Sequence, residues 1–215
     1  KGYAALELDE ATANMFGVAG LSAKQRRERM EGAFGRLASM QVSSGHFSMW
    51  GDGDYVNQTL TPYIAEFLLD AREAGFAVPE AMLQKTLKAL NEDLLAGGAP
   101  FYGYDNRDHL KFAYQAHAGY VLARVNRAPL GTLRALYDNN RKQSMTGLPL
   151  VHLGLALSLQ GDKSRGAGYA DAEVRFHQRS TRSPCDRGDE TTSISTSAAD
   201  RLKNRSGRNE EMVRL

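Results

Sequence analysis

The period of the apolar residues constrains this chain most. From residue 3 to about residue 160 they recur at spacings of three and four, in runs broken by Gly, Pro and Ser clusters. That period turns one face of a helix inward and does not suit a strand, whose faces alternate every second residue. The first run, about Tyr3–Met15, carries Leu6 and Leu8 and stops at Gly17. Ser22 and Gln25 have capping-box spacing, in which each side chain bonds the other residue's backbone amide. The helix they open carries Met30, Ala33, Phe34, Leu37 and Met40 on one face and breaks at Ser43-Ser44-Gly45. A helix over about 58–74 follows, with Leu60, Ile64, Phe67 and Leu68 inward, Thr61 as its cap, Pro62 in its first turn and Gly75 as its stop.

Pro79 opens the next helix, which turns Met82, Leu83, Leu87, Leu90 and Leu94 inward and closes at Gly97-Gly98. Asp108 is expected to cap a helix carrying Phe112, Ala116, Gly119, Tyr120 and Ala123. Pro129 starts a shorter one with Leu133, Leu136 and Tyr137, and Thr146 caps the last, with Leu150, Leu153 and Leu157 ahead of Gly161. Only Phe101–Tyr104 has extended character. The predicted fold is all-α: αα-hairpins pairing 22–42 with 58–74, 79–95 with 108–126, and 129–140 with 146–160, set side by side. By likeness to known toroids this makes about half of an α/α ring, whose terminal hairpins would expose inner faces and favour self-association.

Residues 1–160 and 161–215 differ in kind. The last 55 residues hold only Tyr169 and Phe176 of 18 aromatics, with 11 basic and 9 acidic side chains, leaving 16 of each sign in residues 1–160. So little apolar surface does not offset the entropy of ordering, and residues 161–215 are expected to form a disordered tail. A native linker, a solvated extension and a shifted reading frame all fit this composition. The loss of helical period at Gly161-Asp162 favours the last.

Formal net charge is +2, with no basic stripe of the kind that binds nucleic acid. No apolar run reaches bilayer length, and KGYAALELDE lacks the apolar core of a signal peptide, so this segment is expected to make no membrane contact. Lys1 is read as an internal position of a longer protein. Cys185, the single cysteine, has no internal partner and is read as an incidental thiol.

Little of the chemistry-bearing set is organised in sequence. Asp52-Gly53-Asp54, beside Trp50 and Tyr55, is a candidate acid–base pair with a stacking platform, and equally a solvated turn. His46, His109, His117, His152 and His177 show no His-x-x-x-His pair and no nearby Cys, so neither a metal nor another cofactor is expected. His117 and His152 lie among apolar residues and read as hydrogen-bonded inner-face side chains. PFYGYDNRD (100–108) is the most aromatic loop, with Tyr102 and Tyr104 suited to closing over a site or packing between helices. No nucleophile elbow, P-loop or dinucleotide fingerprint occurs, and no catalytic residue is assigned.

The stretch Met40–Ala71 joins two helices through a Gln-x-x-x-Gly-x-aromatic turn, Gln41, Gly45 and Phe47, followed by Trp50-Gly51. These four residues, Gln41, Gly45, Phe47 and Trp50, are expected to shape a structural joint. Together with LELDEATANMFG (6–17), EGAFGRLASMQVSSGHFSMWG (31–51) and LTPYIAEFLLDAREAGFAVPEAML (60–83), the stretch resembles the thioester-containing domain of bacterial alpha-2-macroglobulins over residues 1–160. The resemblance implies a periplasmic, lipid-anchored protease trap, an endopeptidase inhibitor rather than an enzyme. Its partners are target proteases and the other domains of its own chain. In that family a protease cleaves a bait region, the molecule changes shape, and a buried Cys–Gln thioester then links the protease covalently. The Cys-x-Glu-Gln motif is absent here and, by the resemblance, lies just ahead of Gly2–Asp9. The alternatives are an α/α-toroid enzyme, a terpene cyclase or glycoside-processing protein, and a helical-repeat binding module.

Overall fold

The computed structural model describes residues 2–49, 56, 58–99, 101 and 105–167. By internal contacts the chain divides into Lys1–His177 and Gln178–Leu215, and every described residue belongs to the first unit. The expectations placed on the tail after residue 167, including disorder and Cys185, lie outside the described residues. All regular structure among the described residues is helical: α1 (Gly2–Glu7), α2 (Glu10–Met15), α3 (Ala23–Met40), α4 (Leu60–Glu73), α5 (Glu80–Leu95), α6 (Arg107–Arg124), α7 (Leu130–Ala135), α8 (Gly147–Leu159) and α9 (Lys163–Gly166). α7 runs on into a π turn over Leu136–Asn140 and a 3₁₀ turn over Arg141–Gln143.

Several termini follow from local chemistry. Ser22 and Gln25 close the capping box at the start of α3, each side chain meeting the other's backbone amide. The single helix expected over Tyr3–Met15 is two. Asp9 leaves helical geometry and its carboxylate accepts the Thr12 amide at 2.7 Å, so it caps α2 and ends the run from α1. Thr61 is not a cap: α4 starts at Leu60 after Thr59, and Thr61 is buried in the first turn. Pro62 is the third residue of α4, where its missing N–H would have no intrahelical acceptor, so it needs no kink. Asp108 is likewise inside the first turn of α6, whose cap position is Asn106. Of the extended piece expected at Phe101–Tyr104, residues 102–104 lie outside the described residues. α8 stops ahead of Gly161 as expected, but helix resumes beyond it: Asp162 caps the short α9 by accepting the Arg165 amide.

α6 is the central element. It packs on α4, α5 and, most extensively, α8. Its buried residues run around the whole cylinder, from Phe112 and Tyr114 to Leu122 and Ala123. A methyl group at Gly119 would lie 2.6 Å from the Leu133 side chain, which shows how closely α7 approaches it. α5/α6 and α7/α8 pack as the expected hairpins. The third pairing does not form that way: α3 packs mainly on α1, whereas α4 packs on α5 and α6. The stripe on α3 explains this, because only Met30 and Phe34 are buried while Ala33, Leu37 and Met40 stay half-buried. Met15 and Phe16, at 85% and 72% exposure, leave apolar surface at the end of α2.

Candidate functional site

The turn after α3 is built on one side-chain amide. Gln41 and Phe47 face each other in an antiparallel bridge. Gln41 Nε2 lies 3.3 Å from the Gly45 carbonyl, 3.1 Å from the Met82 carbonyl and 2.9 Å from Thr86 Oγ1, so it ties its own turn to α5. Gly45 has φ +95°, and a Cβ there would sit 2.5 Å from the Lys85 carbonyl oxygen. Only glycine meets both conditions. Phe47 is fully buried. Trp50, Asp52, Asp54 and Tyr55 lie outside the described residues.

An open cavity of about 740 Å³ is lined by α1, α3 and α4, and α3 and α4 do not pack closely on one another. Its walls are largely apolar, with Tyr3, Tyr63, Ile64, Phe67 and Leu37 prominent and Arg29 and Arg36 at the margin. The Tyr3 ring meets Phe67 edge-on, with centroids 5.0 Å apart, and tilts against Tyr63 at 5.6 Å. Helix α1 is pinned from both ends. Arg26 of α3 donates to the carbonyls of Ala5 and Leu6 at 2.8 and 2.7 Å, satisfying orphan acceptors at the C-terminus of α1. The Tyr3 hydroxyl donates to Asp70 Oδ2 at 3.1 Å.

Asp70 belongs to a polar seam between α4 and α6. Arg124 Nη1 donates to Asp70 Oδ1 at 2.8 Å and Nη2 to Glu73 Oε1 at 2.6 Å. One turn earlier on α4 and two turns earlier on α6, His117 Nε2 meets Glu66 Oε2 at 2.8 Å. Burial, then the charges of Asp70 and Glu66, push the Tyr3 phenol well above its ordinary range, so it stays a donor. Burial opposes ionisation of Glu66, but the hydrogen bond and charge of His117 outweigh it and hold the carboxyl below its usual value.

The seam ends in a cluster drawn from three helices. His117 stacks on His152 of α8, with ring centroids 4.4 Å apart, and His152 stacks in turn on Tyr120 at 5.4 Å. One donor atom each of Glu66, His117 and His152 lies within 4.8 Å of the others, a set able to hold a metal ion. Burial, then the neighbouring His117, push the His152 imidazole down to about 3, so it is neutral at ordinary pH. His117 is hydrogen-bonded to Glu66. His152 is buried, but no hydrogen bond joins its ring to any described residue.

The other histidines are dispersed. His46 Nδ1 lies 3.3 Å from Thr61 Oγ1 and its Nε2 3.7 Å from Asp93 Oδ2, next to the Tyr114–Asp93 hydrogen bond. His109 Nδ1 accepts the Met145 amide at 3.1 Å. Tyr102, Tyr104 and His177 lie outside the described residues. A search for local histidine pairs misses Glu66, His117 and His152 because they belong to different helices, and only the packing of α6 on α4 and α8 unites them.

No protein-family model matches the chain. Among curated proteins it is similar to the alpha-2-macroglobulin of Xylella fastidiosa (strain Temecula1 / ATCC 700964), 62% identical over 178 residues, covering 80% of this chain and 11% of that protein. Among solved structures it is similar to native alpha-2-macroglobulin from Escherichia coli spanning domain MG7 to the C-terminus, with a TM-score of 0.76 and 33% identity, over 81% of this chain and 27% of that one. It is also similar to Salmonella alpha-2-macroglobulin reacted with methylamine, with a TM-score of 0.76 and 32% identity, over 90% of this chain and 12% of that one. The chain thus spans about a tenth of the length of this curated relative.

Proposed function

The chain belongs to the bacterial alpha-2-macroglobulin family, and from that premise we propose that it serves as the helical body of the thioester-bearing domain in a protease trap. The parent protein inhibits endopeptidases by linking to them after they cleave its bait region. The Cys-x-Glu-Gln motif does not occur in this sequence. Its part is structural: α1, α3 and α4 supply an apolar wall beside Gly2, the position ahead of which the family resemblance puts the thioester. A thioester hydrolyses when wet, so a dry wall preserves it until the molecule is triggered. By the same resemblance the parent is periplasmic and anchored to the inner membrane through a lipid on a part of the protein outside this chain. Among the described residues no helix is long and apolar enough to cross a membrane.

The observation that carries this reading is the 62% identity across 80% of the chain. The apolar cavity bounded by Gly2, Tyr3 and Phe67 adds a physical reason for it. A small amine nucleophile has been reacted with the Salmonella relative, and the same probe tests the proposal. The intact parent protein is challenged with trypsin, with and without prior treatment with radiolabelled methylamine. The expected result is a covalent protease adduct that methylamine abolishes, with label incorporated into the parent. An intact, folded parent that incorporates no label and forms no adduct refutes it.

A further inference from the structure

We propose that Glu66, His117 and His152 form a binding site for a divalent first-row transition-metal ion of the zinc type. The donor set comes first. Two imidazoles and one carboxylate suit zinc and its borderline neighbours, whereas calcium and magnesium prefer all-oxygen sites. The three donors come from α4, α6 and α8, so helices in register hold them rather than a flexible loop. Their donor atoms all lie within 4.8 Å of one another. Around tetrahedral zinc, bonds of roughly 2.0–2.2 Å put neighbouring ligand atoms about 3.3 Å apart. The wider separations need to close by up to about 1.5 Å, within reach of side-chain rotation, and the 2.8 Å Glu66–His117 contact to open slightly.

His152 supplies an independent observation. It is 8% exposed, yet its ring makes no hydrogen bond to any described residue. No buried side-chain nitrogen or oxygen among the described residues lacks a partner, so its unbonded nitrogens lie on the small edge that still touches solvent. A buried imidazole held only by stacking on His117 and Tyr120 keeps a lone pair for an ion that enters from that edge. Arg124, the cation nearest Glu66 along the seam, is already bound by Asp70 and Glu73. On binding, the metal takes the place of the hydrogen that His117 Nε2 shares with Glu66. In a neutral ring that proton moves to His117 Nδ1; in a doubly protonated ring, where Nδ1 already carries one, it leaves to solvent. Three protein ligands leave a fourth position for water.

The test uses the 215-residue chain carrying Cys185→Ser, so that its one thiol takes no part. Zinc chloride is titrated calorimetrically, and cobalt(II) is followed by its visible absorption. The expected result is about one ion per chain, a tetrahedral cobalt spectrum displaced by zinc, and a zinc-dependent rise in melting temperature. His152→Gln and Glu66→Gln should each weaken zinc binding by at least about tenfold, the least that disturbing even an outer-shell partner usually costs. His109→Gln should leave binding unchanged. Glu66→Gln keeps the shape and the hydrogen bond to His117, so it remains informative if His152→Gln fails to fold. Absent binding, or undiminished binding by a folded Glu66→Gln chain, overturns the proposal.

Discussion

Removing Asp70 should expose how much the α4–α6 seam depends on one buried charge pair. The side chains of Asp70 and Arg124 are 3% and 4% exposed, whereas that of Glu73, the second partner of Arg124, is 49% exposed. Asp70→Asn leaves the guanidinium buried with only a half-solvated partner, and breaking a buried pair in this way costs about 3–5 kcal/mol. Glu73→Gln removes a screened contact and should cost under about 1 kcal/mol. With a urea dependence of about 2 kcal/mol per molar, the first variant shifts the unfolding midpoint down by roughly 1.5–2.5 M and the second by less than about 0.5 M. Replacing the whole pair, Asp70→Leu with Arg124→Met, removes the stranded charge as well. Its cost should therefore fall about 2 kcal/mol short of the sum of the two single replacements. Urea unfolding followed by helical circular dichroism at fixed ionic strength measures all of these. Equal losses for Asp70→Asn and Glu73→Gln, or strict additivity in the double variant, would refute the reasoning.

Gly45→Ala combines a left-handed backbone with a Cβ 2.5 Å from the Lys85 carbonyl and should cost about 2–3 kcal/mol in the same assay; a loss below half a kcal/mol would show that the turn adjusts freely. Tyr3→Phe keeps the aromatic wall but removes the donor to Asp70, so a loss of about 1 kcal/mol is expected, well short of that for Tyr3→Ala, which also empties ring volume. Asp162 gives a pH test. Hydrogen bonds from Arg134, and then from the Arg165 amide and Ser164, hold its carboxyl well below its ordinary value. A folded-state value depressed in this way contributes stability above the unfolded-state value of about 3.9, and that contribution is lost as the pH falls further. Melting temperatures compared between pH 7 and pH 3 should therefore drop less for Asp162→Asn than for the parent chain, and parallel drops would exclude the mechanism.

The parts of this fold legible in the sequence are those settled within one or two helical turns. The Ser22–Gln25 box needs only residues three apart, and the stops at Gly17, Gly75, Gly97 and Gly161 all carry positive φ. The break at Asp9 is readable too, because Asp favours cap positions, although Leu6, Leu8, Ala11, Ala13 and Met15 spread apolar residues across it. Thr61 and Asp108 misled in the opposite way. Both residue types favour caps, but the helices began one or two residues earlier, and Thr61 instead sits buried beside His46. Propensity names the turn in which a helix begins more readily than it names the residue.

Contacts across helices were not legible. Gln41 reads as one residue of a turn, but its amide reaches Met82 and Thr86, more than forty residues away. The stripe on α3 predicts a face, yet it does not say that α1 would cover it while α4 stands off across a cavity. Family resemblance supplied none of these partners.

α4 shows why the cavity and the seam belong to one physical system. Ile64 and Phe67 of α4 turn toward the cavity, and Glu66, Asp70 and Glu73, interleaved with them, turn toward α6. A helix can serve two surfaces only if its rotation about its own axis is fixed, since a turn of one residue, about 100°, would carry one face to where the other lies. Arg124 and His117 fix that rotation by holding carboxylates seven residues apart on the same face. Tyr3 then transmits it to α1, with its ring against Phe67 and its hydroxyl on Asp70. The apolar cavity is thereby bordered by charges on the neighbouring face of the helix that lines it. A metal ion bound by Glu66, His117 and His152 would add α8 to the same constraint, linking the wall beside Gly2 to the opposite side of the α6 core.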